Sequence, residues 1–132
     1  MTQDITGAEM GFFMEEPEKL ALYLALREQV RALAPLMGVL VQKTAISFRA
    51  PRPFLYIGHP FRKHNPGWPE GCLQISFSAP APVSHPAVIH NTPIRNNLYT
   101  IHALVAQPGR LDRELLELVS QSLSLRNKRR PS

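Results

Sequence analysis

Cysteine is nearly missing from this chain. Cys72 stands alone among 132 residues, so no internal disulfide braces the fold, and a reducing cytoplasm is the expected setting. A single thiol of this kind reads as a small buried hydrophobe. Acid is scarce in the middle: Glu70 is the one carboxylate between Lys43 and Asp112, which excludes a carboxylate pair of the glycosidase kind from that region. The seven glycines are scattered, with no GxGxxG or GxxxxGKS/T spacing, so no glycine loop cradles a phosphate. His59, His64, His85, His90 and His102 show neither Cys–His clustering nor H-x3-H spacing; a site between His59, His64 and Cys72 would be fortuitous. Neither metal nor cofactor is implied. No apolar run approaches the ~20 residues of a membrane span, and the opening MTQDITGAEM lacks the basic-then-apolar pattern of a signal peptide. The expectation is a soluble, cytoplasmic protein.

Hydrophobic residues make up 44% of the chain and charged residues 19%, which suits one folded domain with a single core. The net charge of +5 hides a segregation. Asp4, Glu9, Glu15, Glu16 and Glu18 precede the first base, whereas Lys43, Arg49, Arg52, Arg62, Lys63, Arg95 and Arg110 face Glu70 alone across residues 36–110. The end of the chain adds Arg126, Lys128, Arg129 and Arg130. Local fields follow from this, but no particular partner does.

Periodicity sets out the elements. Residues 1–11 are polar and expected to fray. From Pro17 to Ala34, Leu22, Tyr23, Leu26, Val30 and Leu33 recur at helical spacing, with Arg27, Glu28 and Arg31 on other faces; Pro35 and Gly38 end the helix. VLVQKTAISFR (residues 39–49) alternates and reads as one strand. RPFLYIGHP returns as a second, Pro60–Gly71 is a loop, and CLQISFS is a third. Residues 79–97 carry four prolines, which forbids an interior strand or a continuous helix, although Val83, Val88, Ile89 and Ile94 need something to pack on. LYTIHALVA is the fourth strand, and Asp112 caps a helix reaching about Leu125. The expected fold is α+β: a domain over residues 12–125 in two layers, four antiparallel strands between an N-terminal and a C-terminal helix, with a basic tail at 126–132.

The combination FFxxxPxxLxLYxxLR (Phe12 to Arg27), QKTAISFR (Gln42 to Arg49), RPF (Arg52 to Phe54) and YTIH (Tyr99 to His102) resembles a family of short bacterial domains of unknown function, some of them labelled predicted transport proteins. The resemblance spans Phe12 to Leu125 and is most specific in the KTxISFR segment. It implies a helix, an antiparallel sheet and a final helix, and no established reaction. Paired histidines are frequent at the family's fourth strand; here Ile101 replaces the first and His102 remains, which puts in doubt any role needing two imidazoles.

If the helices cover the face of Ile46, Ile75 and Ile101, the opposite face presents Lys43, Ser47, Arg49, Phe54, Tyr56, Gln74, Ser76, Thr100 and His102. Rows on neighbouring strands lie about 5 Å apart, close enough to converge on one ligand. Cations and hydroxyls suit a carboxylate or phosphate, and an aromatic stacks on a flat ring. The candidate binding residues are Lys43, Ser47, Arg49, Tyr56, Gln74, Thr100 and His102: anion contact for Lys43 and Arg49, stacking for Tyr56, hydrogen bonding for the rest. An ordinary solvated sheet face accounts for the same residues. A non-catalytic module for a small anionic ligand or a protein partner is the leading expectation, a homodimer included. Single-stranded nucleic acid is the first alternative, favoured by the basic, aromatic sheet and disfavoured by the acidic start and the lack of an RNP motif. A small hydrolase using Ser47 or Ser76 with His102 is the second; it has no evident acid to orient the imidazole and no nucleophile-elbow glycines.

Overall fold

The computed structural model describes residues 6–60, 68 and 71–127, with the side chains of residues 126 and 127 excepted. Arg62, Lys63, His64, Glu70 and the tail from residue 128 lie outside the described residues, and with them the expectations placed on that loop and tail. The chain runs α1 (Gly7–Phe12), α2 (Glu18–Leu33), β1 (Gly38–Val41), β2 (Ala45–Arg49), β3 (Pro53–Gly58), β4 (Leu73–Ala79), β5 (Val88–Arg95), β6 (Leu98–Val105), a 3-10 turn at Pro108–Arg110, and α3 (Arg113–Asn127). The α+β class, the antiparallel sheet and the helices at both ends are as expected. The sheet has six strands rather than four, ordered β1-β2-β3-β4-β6-β5.

Both extra strands have a physical origin. The run read as one strand folds back on itself at Lys43-Thr44, so that Val41 pairs with Ile46 and Leu40 with Ser47; Gln42 N donates to Ala45 O at 2.9 Å to close the turn. This two-residue hairpin lacks the Asn-Gly or Gly-X signature that marks such turns, and the apolar alternation continues through it. The proline-rich segment contains β5, which takes the sheet's outer edge. Pro93 is tolerated there because an edge strand leaves one row of N–H groups without a ladder partner. Asn96-Asn97 makes the turn into β6, with Asn97 at φ 61°, a left-handed conformation that asparagine adopts more readily than most residues. Across the preceding crossover, the Asn91 side chain holds the backbone of Val83, accepting from its N–H at 2.8 Å and donating to its carbonyl at 3.2 Å.

The helices form one layer. Tyr23, Leu26 and Val30 of α2 and Leu115 and Val119 of α3 are wholly buried with Ile46, Phe48, Leu55, Ile57, Ile75 and Ile101 of the sheet, and each such side chain contributes about 1.5–3 kcal/mol by leaving water. Tyr23 packs toward Phe48, ring centroids 6.2 Å apart. Ser122 of α3 donates to the carbonyl of Phe54 and accepts from the N–H of Ser78, pinning α3 to one end of β3 and β4. Asp112 is the expected cap: its carboxylate accepts from Leu115 N at 2.9 Å.

Two expectations change at the N-terminal end. Part of the segment expected to fray is α1, opened by a capping box in which Thr6 and Glu9 satisfy each other's backbone N–H. Arg27, expected to point away from the core, is 3% exposed and paired with Glu9, itself wholly buried. Glu9 accepts from Arg27 Nε at 2.9 Å and from the Tyr23 hydroxyl. Burial alone would raise the Glu9 carboxyl; the Tyr23 hydroxyl, the Thr6 amide and the Arg27 charge outweigh it and hold the group below its ordinary value.

Candidate functional site on the outer sheet face

With the helices on one side, the other side of the sheet carries the polar parity. One row crosses it as Leu40, Ser47, Tyr56, Ser76, His102 and His90 on successive strands. A parallel row runs Ala45, Gly58, Gln74 and Leu104, and a third places Ser78, Thr100 and Thr92 side by side.

Where the first two rows meet the β1–β2 turn, an open cleft of about 610 Å3 is lined by Lys43, Thr44, Ala45, Tyr56, Gly58, His59, Pro60, Gln74 and Ser76. Its floor requires Gly58: a Cβ there would stand 2.6 Å from the carbonyl oxygen of Thr44, so the glycine lets the turn carrying Lys43 close onto β3. His59 is fixed at the rim. Its ring stacks on Phe12 with centroids 5.0 Å apart and planes 2° from parallel, and Nδ1 lies 3.3 Å from Glu16 and 3.5 Å from Lys19. Among the described residues, Lys43 is the cation of the lining and no lining residue is acidic.

The seven candidate residues separate on this geometry. Lys43, Tyr56 and Gln74 line the cleft. His102 adjoins it: its Nδ1 lies 2.8 Å from Ser76 Oγ and 3.4 Å from Gln74 Nε2. Burial, aided by His90, lowers the His102 pKa and favours the neutral ring. Ser47 shares the row but is wholly buried, with its hydroxyl 3.4 Å from Arg49 Nε; these two residues are occupied with one another, away from the cleft. Thr100 lies in the next row, between Ser78 and Thr92. Phe54, placed on the outer face by parity, is 1% exposed and belongs to the core, beside the register slip between Phe48 and Arg49.

His59 and Ser76 as lining residues escaped the seven. Parity displays Ser76, but His59 lies past the end of β3, and its proximity depends on α1 and α2, which periodicity cannot position. A second polar pair also came from folding alone: His85 Nε2 lies 2.9 Å from Asp112, while His85 Nδ1 accepts from Ala87 N at 3.0 Å. Both ring nitrogens are used, so this pair ties the proline-rich crossover to the start of α3 and leaves no free base. Among the described residues no three His, Cys, Asp or Glu side chains gather to hold a metal, and no helix is long and apolar enough to cross a membrane.

No family model, no curated protein and no solved structure matches this chain.

Proposed function

We propose that this protein is a non-catalytic binding module whose outer-face cleft takes a small ligand with an anionic group and a flat ring. The observation that carries the reading is the composition of the lining: Lys43 without an acidic neighbour among the described residues of the wall, the half-exposed ring of Tyr56, and the hydrogen-bonding Gln74 and Ser76. Lys43 serves the carboxylate or phosphate as a point charge, Tyr56 lies against the ring, and Gln74 and Ser76 orient the polar edge. Arg49 and Thr100, grouped with them by sequence, take no part. An NMR titration with phenyl phosphate tests this: amide shifts should concentrate at residues 43–45, 56–60 and 74–76, and shifts spread over the surface, or none, would overturn it.

The hydrolase alternative has one observation in its favour, the 2.8 Å contact between Ser76 and His102, which is the distance of an activated serine. The described hydrogen-bond partners of the ring are Ser76 and Gln74, neither of which is the carboxylate that would orient a general base. A fluorophosphonate probe decides it: covalent labelling of Ser76 that is lost in His102→Ala would favour the enzyme over the binding module.

A further inference from the structure

The two edges of the sheet are built differently. β5, at one edge, carries Pro93, and its register slips between Val88 and His90 and again between Pro93 and Arg95; proline and bulges are devices that keep an edge from pairing with another chain. β1, at the other, is Gly-Val-Leu-Val, in unbroken register with β2. No charge occurs from Leu36 through Gln42. Leu36 is 96% exposed and Leu40 43%. Among the described residues, shortness is the one protective feature of β1.

The direction of its free backbone groups follows from the β1–β2 hairpin. Gln42 and Ala45 form a hydrogen-bonded pair, and such pairs alternate along an antiparallel ladder. Leu40 with Ser47 and Gly38 with Arg49 are therefore hydrogen-bonded pairs, whereas Val39 and Val41 turn their N–H and C=O outward. Among the described residues no backbone bond joins Val39 or Val41 to an element beyond β2. α1 touches β1, and its Glu9 is bound to Tyr23 and Arg27 of α2.

We propose that β1 is the seam of a symmetric dimer, pairing antiparallel with β1 of a second copy so that the two six-stranded sheets become one. One register uses all the outward groups. Val39 pairs with the partner's Val41 and Val41 with the partner's Val39, each exchanging both N–H···O bonds. A shift toward the N-terminus would require the Met37 N–H, already donated to Ala34 O, and a shift the other way would require Lys43 in the turn. In the permitted register Leu40 stands directly opposite the partner's Leu40, on the outer face, as a non-hydrogen-bonded pair whose Cα atoms lie about 4.5 Å apart. A second copy fits this edge better than an unrelated strand because the stretch is charge-free and its own two-fold sets leucine against leucine, leaving no like charges opposed.

Sedimentation velocity over a micromolar to submillimolar range, on the full chain, should show a reversible monomer–dimer equilibrium. Leu40→Lys, which sets two ammonium groups against each other at the two-fold, should leave the protein monomeric, with a melting curve like that of the wild type at concentrations where the wild type is itself monomeric. Leu40→Cys provides a readout that does not depend on loss: under a mild oxidant it should cross-link dimers, since 4.5 Å is within the Cα range of a disulfide, while the wild type, whose Cys72 is 3% exposed, should not. A wild type that stays monomeric throughout, a folded Leu40→Lys that still dimerises, or a Leu40→Cys that fails to cross-link would overturn the seam.

Discussion

Glu9→Gln removes one charge and almost no volume, and its cost follows from what surrounds the site. The Glu9 and Arg27 side chains are 0% and 4% exposed, so neutralising one leaves the other buried without its counter-ion. Breaking a buried pair in this way costs about 3–5 kcal/mol. The lower end applies here, because α1 has six residues and its release would let water reach Arg27 at a bounded cost. Urea unfolding with linear extrapolation reads the difference; with a slope of about 1–3 kcal/mol per molar, the midpoint should fall by roughly 1–3 M. The double variant Glu9→Gln/Arg27→Met removes both charges and should recover part of the loss, giving a clear coupling energy in the cycle. A loss below about 1 kcal/mol in Glu9→Gln, against the magnitude expected for a broken buried pair, or strict additivity in the cycle, would refute the buried ion pair. The sign with pH is fixed as well. Glu9 is held below its ordinary value of 4.5 in the folded state, so its contribution is present above that value and disappears as the pH falls through the lower folded one.

Other outcomes follow from single contacts. Gly58→Ala should destabilise by about 1–3 kcal/mol, the usual cost of forcing atoms into a packed site, because the added methyl meets Thr44 O at 2.6 Å; thermal melting checks this. Asp112→Ala loses both the cap on Leu115 and the clasp to His85, and chemical denaturation should show a loss of about 1–2 kcal/mol, the upper range for a cap. His102, whose folded pKa is depressed by burial and by His90, should make stability decline as the pH drops below its ordinary value of 6.5, since the unfolded chain takes the proton first. His102→Gln should flatten that decline, and melting temperatures between pH 7 and pH 5 would show it.

Much of the architecture was legible because burial imposes period. The stripe of Leu22, Tyr23, Leu26 and Val30 marked α2, the alternation of Leu73, Ile75 and Phe77 marked β4, and Asp112 marked the start of α3. Two strands were hidden by unusual chemistry. Lys43-Thr44 turns without glycine or asparagine, and Pro93 disguised an edge strand whose outer row of donors needs no partner. The outer-face residues were legible as a set, because side-chain parity displays Tyr56, Gln74 and His102 together. Their grouping was not, since the burial of Ser47 under its neighbours and the approach of His59 arise from tertiary packing. Arg27 shows the same limit: a charged side chain reads as exposed until the acid that buries it is placed beside it, and Glu9 lies 18 residues away in sequence.

The most direct test of the cleft is native mass spectrometry of the purified wild type beside Lys43→Ala and Arg49→Ala, each with added phenyl phosphate. A bound adduct is expected on the wild type and on Arg49→Ala, and its loss or strong weakening in Lys43→Ala, with all three folded. Equal binding by Lys43→Ala, or loss in Arg49→Ala alone, would contradict it, since among the described residues the cation that lines the cleft is Lys43.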